Sequence, residues 1–533
     1  MSRRKPSAAP APACVQWRLP HWAGASFLLL WWAFIGWIYY HRPETAPRWA
    51  LWPGLLPDLS SASVAALARA ARLSACLAGL ILLGFGLGAP LLRALRLVPG
   101  GRLEAACVGA GLGLGLTGTG MLVLGLLGLW NGPAAAVSLA AALCVGALYL
   151  RFGENAAVPA GTADRWGAWE ILCAGLLSAA AAFNFLGALM PEIFYDALVY
   201  HLALPELYWL RGGITATPEN LYSGLPMLIQ MLYALALPLG GDGLAHLLHW
   251  SFGAGAALLA YSFARRFSGR KAGLLAALLF YTIPTAGVLS WKGGVELGWA
   301  FFELLSLSAL ARRLEAGIQG RGWTVVAGLA AGFAMASKYQ AWPLLPVLCL
   351  AFPAALPAGI SWKDRCKETA LLAALALAAL SPWIIKNVLF YGNPIYPFLH
   401  EHFSMGPLPR WREVLADGGS LSPASLFSSW EGARAFLTHP WSLTLGNNDI
   451  NSIGPVFLLG LPLLALCRYR CAGLRGAWLA SLLLWGAWSL SSTLSRFLLP
   501  HLLPMCVLFA AAFEEGLDGR IKALCRPLML FLF

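Results

Sequence analysis

Long apolar runs, separated by short clusters of charged, turn-forming or aromatic residues, follow one another along the whole chain. They lie near residues 23–40, 63–91, 104–130, 133–150, 168–190, 242–264, 272–290, 294–311, 323–337, 341–357, 369–386, 454–467, 476–494 and 498–513. Most approach the roughly 17–25 residues that an α-helix needs to cross a hydrocarbon core of about 30 Å. Backbone groups in lipid must be satisfied within their own segment, so these runs are predicted to be helices. The pattern therefore predicts an all-α integral membrane protein, a polytopic helical bundle of about fourteen transmembrane helices.

Composition strengthens this picture and excludes a soluble enzyme. Of 533 residues, 59% are hydrophobic and 11% charged, against about 25% charged in an ordinary soluble domain. The formal charge of +13 does not point to nucleic acid, because Lys and Arg occur in short clusters between apolar runs and form no single stripe. About 25 of them fall on the side of the N-terminus, including Arg93/Arg96/Arg102, Arg312/Arg313/Arg321 and Arg468/Arg470/Arg475. Cytoplasmic loops carry such an excess, so both termini are expected in the cytoplasm of a multi-pass protein, as in a bacterial inner membrane. Phe27–Tyr40 resembles a signal peptide but ends in Trp37-Ile38-Tyr39-Tyr40 with no small-residue cleavage site, and is read as a retained first span. None of the 11 cysteines falls in a segment assigned outside, so structural disulfides are not expected.

Two outer segments, 191–241 and 387–453, are far longer than the other connections, and loops of that length usually carry function or structure of their own. Within the first, Tyr195–Leu210 and Pro226–Leu237 suit helices at the outer membrane surface. Asp196 stands at the start of this segment, either as a general base at the membrane surface or as a helix N-cap. On a regular helix Tyr200 shares its face at i, i+4, whereas His201 points about 140° away. Lys338 separates two apolar runs, which marks it as a functional candidate or a snorkelling lysine. Arg496 lies at the outer ends of two spans, against the charge trend, so an anionic partner is expected there. Lys386 and Asn387 open the second outer segment. Lys292 and Glu296 share a short outer turn, and an ion pair between them at a helix end is the favoured reading. His400-Glu401-His402 offers metal-ligating side chains without a further partner and is weak as a metal site.

Four motifs occur in order on one side of the predicted membrane: Tyr-Asp-Ala-Leu-Val-Tyr-His (195–201), Ala-Ser-Lys-Tyr-Gln (336–340), Pro-Trp-Ile-Ile-Lys-Asn (382–387) followed by Tyr-Gly-Asn-Pro-Ile-Tyr-Pro (391–397), and Ser-Arg-Phe-Leu-Leu-Pro-His (495–501). Through them the chain from about Trp166 to Glu515 resembles the GT-C superfamily of polytopic glycosyltransferases. The resemblance is to the glycosyltransferase family 39 and aminoarabinose-transferase-like members, related to dolichyl-phosphate-mannose-protein mannosyltransferases. It implies a GT-C-like core at 166–515, with extra helices at 1–150 whose Gly, Ala and Leu content suits packing, and a cytoplasmic tail at 516–533 beyond which a further C-terminal part is expected.

The resemblance further implies a sugar donor carried on polyprenyl phosphate and a glycan, lipid or protein acceptor, met at the outer face within membrane lipid. Asp196 would deprotonate the acceptor. Arg496, Lys338 and Lys386 would bind the donor phosphate, and Tyr195, Tyr200, His201 and Glu296 are candidates for the acceptor or sugar site. The expected chemistry is inverting displacement without a covalent enzyme intermediate. No cofactor is required by the sequence. Many relatives carry an acidic pair where this chain has Tyr195-Asp196, with Glu192 four residues before Asp196, and this leaves a divalent metal open. A lipid-linked oligosaccharide ligase or polymerase would share the architecture. A secondary transporter would place polar groups near the midplane within paired repeats, and a scaffold would need no polar outer motifs.

Overall fold

The computed structural model describes residues 14–41, 64–131, 165–316, 320–357, 359–403, 429–445, 453–491 and 494–532. Three long helices come first: α1 (His21–Tyr40), α2 (Val64–Ala94) and α3 (Arg102–Leu126). The expected span at 133–150 lies outside the described residues. There follow α4 (Ala168–Ala188), α5 (Ala203–Leu210), α6 (Leu228–Tyr281), α7 (Pro284–Ser290), α8 (Glu296–Glu315), α9 (Arg321–Ser337), α10 (Leu344–Ala355) and α11 (Trp362–Tyr391). The last group is α12 (Trp430–Leu445), α13 (Val456–Leu466), α14 (Ala472–Ser491), α15 (Leu499–Ala511) and α16 (Gly519–Leu532). Among the described residues, α1, α2, α3, α4, α6 and α11 are long and apolar enough to cross a membrane. The bundle is a multi-pass membrane protein.

Helix α6 is three helices laid end to end. Gly241 and Gly269 interrupt it at φ 66° and φ 80°, backbone angles that residues with a Cβ avoid. The first piece, from Leu228, is the short helix expected at Pro226–Leu237, but it is sunk into the protein instead of lying on its surface, with Ile229, Met231, Tyr233 and Ala234 fully buried. The core is built around α8, which packs against α6, α9, α14 and α15. Its Trp299, Phe302, Leu304 and Leu305 are all fully buried.

The first helices join the core through close approach. Gly84 and Gly88 of α2 face Gly109 and Gly113 of α3, two pairs at the i, i+4 spacing that lets membrane helices meet backbone to backbone. A Cβ added at Gly113 would sit 1.6 Å from the Gly84 carbonyl oxygen, and one at Gly88 would sit 1.9 Å from that of Gly109. At the end of the bundle where α3 begins, Arg312 of α8 grips Glu104 of α3 through its Nε at 2.6 Å. Arg313 Nε donates to Glu368 of α11 at 2.7 Å at the same end.

The reading of the cysteines requires correction. Strands β1 (Val15–Trp17) and β2 (Cys467–Tyr469) pair antiparallel, with Trp17 opposite Cys467. This brings Cys14 and Cys471 to a Cα separation of 5.1 Å, where they form a disulfide. The two cysteines are 457 positions apart, and a three-residue strand pair of that separation leaves no periodic signal in the sequence.

Candidate active site at one end of the bundle

Helices that alternate in direction bring every second connection to the same end. The turn after α4, the turn between α7 and α8, the end of α9 and the start of α15 all meet there. Asp196 lies in the first of these and precedes a π turn, Ala197–His201. It makes no side-chain capping bond, so the N-cap reading does not hold. Its Oδ2 lies 2.9 Å from Arg496 Nη2.

Arg496 sits in a 3-10 turn, Ser495–Phe497, that leads into α15. Its Nε is 3.9 Å from Glu296 Oε1, and Lys338 Nζ donates to that same oxygen at 2.7 Å. Glu296 is the first residue of α8 and is fully buried; its other oxygen accepts from the Val295 N–H at 3.1 Å. Two carboxylates and two cations from four separate segments thus form one continuous cluster. Lys338 lies 4.2 Å from the centre of the Phe497 ring, and Arg496 lies between Phe194 at 5.4 Å and Phe497 at 5.1 Å.

These contacts settle three expectations. The favoured Lys292–Glu296 ion pair does not form. Glu296 is taken by Lys338 and Arg496, while Lys292 Nζ sits 4.9 Å over the Phe194 ring. Lys338 does not snorkel, being only 6% exposed, and burial pushes its pKa below the ordinary lysine value although Glu296 opposes the shift. The anionic partner expected for Arg496 is present within the chain itself, as Asp196 and Glu296.

The π turn also changes the geometry around Asp196. Its backbone bonds run from residue i to i+5, as in Leu202 N–H to Ala197 O at 2.9 Å, so each turn is wider than in an α-helix. His201 is thereby carried round towards the cluster and senses Lys338, Glu296 and Arg496. Burial, then the charge of Lys338, holds its imidazole neutral, with a pKa well below the ordinary histidine value. The Gln230 amide donates to Nδ1 at 2.8 Å, and Nε2 is buried without a hydrogen-bond partner among the described residues. Tyr200 is buried and stacks on Tyr222 at 4.2 Å and against His201 at 4.1 Å. Tyr195 is 66% exposed.

Lys386 stands apart from the cluster. Its ammonium group is buried and donates to the Ser223 carbonyl at 2.5 Å, within the turn Leu221–Gly224. Asn387 Nδ2 donates to Gly224 O at 2.7 Å and to Tyr339 Oη at 3.2 Å, and Tyr339 donates to Tyr396 O at 2.9 Å. The second and third motifs therefore tie the first outer segment to the second. Within the described residues, no group of three His, Cys, Asp or Glu side chains is arranged to hold a metal. His400 packs its ring 6.0 Å from Tyr396.

Further polar side chains adjoin the cluster, Glu192 among them and, without a signal read from the sequence, His246, His249 and Glu303. Glu192 buttresses the site by accepting from His246 Nε2 at 2.8 Å, from the Gly293 N–H at 2.7 Å and from the Phe194 N–H at 2.8 Å. Burial opposes its ionisation, but the His246 contact and these amides outweigh burial and hold the carboxyl below its ordinary pKa. His249 Nδ1 donates to the Leu289 and Lys292 carbonyls at 2.8 Å, while its Nε2 accepts from the Leu297 N–H at 3.1 Å, fixing the α7–α8 turn. Deeper on α8, Glu303 accepts from Trp299 at 2.9 Å and from His501 at 2.7 Å. Glu303 lies seven residues beyond Glu296, two helical turns along the same face, a spacing that was available in the sequence.

No curated protein sequence matches the chain. The fold is similar to that of ArnT from Cupriavidus metallidurans bound to undecaprenyl phosphate, at 18% identity and a TM-score of 0.47, covering 68% of this chain and 63% of that one. It is also similar to the Archaeoglobus fulgidus oligosaccharyltransferase in complex with Zn and sulfate, at 15% identity and a TM-score of 0.46, covering 69% and 51%. A third likeness is to archaeal oligosaccharyltransferase AglB from Archaeoglobus fulgidus with an inhibitory peptide and a dolichol-phosphate, at 14% identity and a TM-score of 0.41, covering 68% and 54%. The match thus spans less than two thirds of these solved chains. Over residues 225–385, the stretch that contributes Glu296 and Lys338, the chain carries the family pattern described as dolichyl-phosphate-mannose-protein mannosyltransferase, in agreement with the GT-C resemblance drawn from its motifs.

Proposed function

We propose that the chain is a membrane glycosyltransferase that moves a sugar from a polyprenyl-phosphate-linked donor to an acceptor at the face of the membrane where Asp196 lies. The observation that carries this reading is the four-membered cluster of Asp196, Arg496, Glu296 and Lys338, assembled beside two aromatic rings at one end of a lipid-embedded bundle. The family pattern over 225–385 supports it. Without donor, the two cations neutralise the two carboxylates. A donor phosphate entering the cluster competes for Arg496 and Lys338, which frees Asp196 while Glu296 keeps both cations in place.

The reaction is then a single displacement. The acceptor oxygen attacks the anomeric carbon, its proton passes to the Asp196 carboxylate, and the carbon–oxygen bond to phosphate breaks with the electron pair leaving on the phosphate. Arg496 and Lys338 stabilise the charge that develops on that phosphate. The configuration at the anomeric carbon inverts, with no covalent intermediate on the enzyme. Lys386 acts at one remove, by holding the 221–224 turn.

The test is a panel of radiolabelled polyprenyl-phosphate sugars offered to membranes that contain the protein. Transfer of a single sugar with inversion is the expected result. Transfer of a preassembled oligosaccharide would favour a ligase or polymerase, and uptake of a free solute without transfer would favour a transporter.

A further inference from the structure

The end of the bundle opposite Asp196 carries a groove of about 720 Å³, between the last turn of α10 and the start of α14. Four arginines line it, Arg18, Arg365, Arg468 and Arg475, and no carboxylate does. Arg365 is committed to the protein. It donates to the Ile360 carbonyl at 3.0 Å and to those of Pro353 and Pro357, the carbonyls left open where α10 ends. The other three are exposed and form no ion pair among the described residues. Arg18 is held in place by the strand pair, its N–H donating to Leu466 O at 2.9 Å. Guanidinium groups gathered around one groove without a carboxylate repel one another unless an anion joins them.

The floor of the groove is apolar. Leu356 and Leu479 line it, and Ala355 and Gly476 continue from it into a gap between α10 and α14 lined by Leu310 and Phe352. A soluble anion would use only the arginine rim. An amphiphile with a phosphate head uses both the rim and the apolar floor, and basic pockets between membrane helices take anionic lipid head groups in this way.

We propose that this groove binds the phosphate head group of an anionic membrane phospholipid, in the leaflet away from the Asp196 cluster. The site is independent of the transfer chemistry. Native mass spectrometry of the full-length protein in neutral detergent, titrated separately with phosphatidylglycerol, phosphatidylcholine and inorganic phosphate, tests it. The wild type is expected to bind its first phosphatidylglycerol about a hundredfold more tightly than phosphatidylcholine, three basic residues contributing about fivefold each. The triple variant Arg18→Gln/Arg468→Gln/Arg475→Gln should lose that preference while its lipid-free unfolding temperature stays unchanged. Arg475→Gln alone, which leaves the strand pair untouched, should weaken binding about fivefold, the effect of one basic residue at an anionic surface. Undiminished phosphatidylglycerol binding by the variants would overturn the site, and displacement of the lipid by an equal concentration of inorganic phosphate would overturn the lipid assignment.

Discussion

Glu296 makes the cluster a unit, because both cations depend on it. Removing its charge leaves Lys338 and Arg496 buried beside Asp196 alone, and breaking a buried pair from one side costs about 3–5 kcal/mol. Glu296→Gln is therefore expected to lower the unfolding temperature and abolish transfer. The double variant Glu296→Gln/Lys338→Met should recover most of the stability and none of the transfer, and recovery of both would show that the pair serves only the fold. Glu192 gives a pH signature. Its folded carboxyl titrates below the ordinary value, so its contribution is fully present above about pH 4.3 and is lost as pH falls through the folded pKa. The difference in unfolding temperature between wild type and Glu192→Gln should accordingly shrink in acid; a difference that grows there would contradict the assignment.

The helices were largely legible because a lipid solvent imposes a strong rule on every crossing segment. The break between the expected spans 242–264 and 272–290 falls at Gly269, while the second of these ends at Tyr281 and resumes at Pro284 as α7. The π turn at Ala197–His201 was not legible, since one wider turn leaves no mark on hydrophobic periodicity, and the relation of His201 to Asp196 changed with it. The glycine content of α2 and α3 predicts close packing without naming the partners, and in the fold Gly113 lies against the Gly84 backbone. Gly113→Val cannot fit without parting the two helices. We expect it to cost more than 2 kcal/mol, by analogy with overpacked cores at about 1–3 kcal/mol, and to raise protease sensitivity between α2 and α3. Unaltered protease resistance would mean that the helices do not meet along this seam.

Across the whole molecule, residues from three of the motifs meet at one end of the bundle, but their contacts were only partly legible. Asp196, Lys338 and Arg496 were each conspicuous as charges beside apolar runs, and the fold brings them together. Glu296 was less conspicuous, because Lys292 four residues earlier offered a simpler local partner. Lys386 was equally conspicuous and stands elsewhere, bound to Ser223, since helical alternation fixes which end of the bundle a residue reaches and not which neighbours it meets. The role proposed for Asp196 is to accept the proton of the acceptor. Comparing kcat for sugar transfer between wild type and Asp196→Asn, at equal amounts of inserted protein, tests this most directly. A general base contributes about 10²- to 10⁴-fold, so a loss of that size, with polyprenyl phosphate bound no more weakly than by the wild type because Arg496 loses its competing carboxylate, is the predicted result; transfer at the wild-type rate by Asp196→Asn would contradict it.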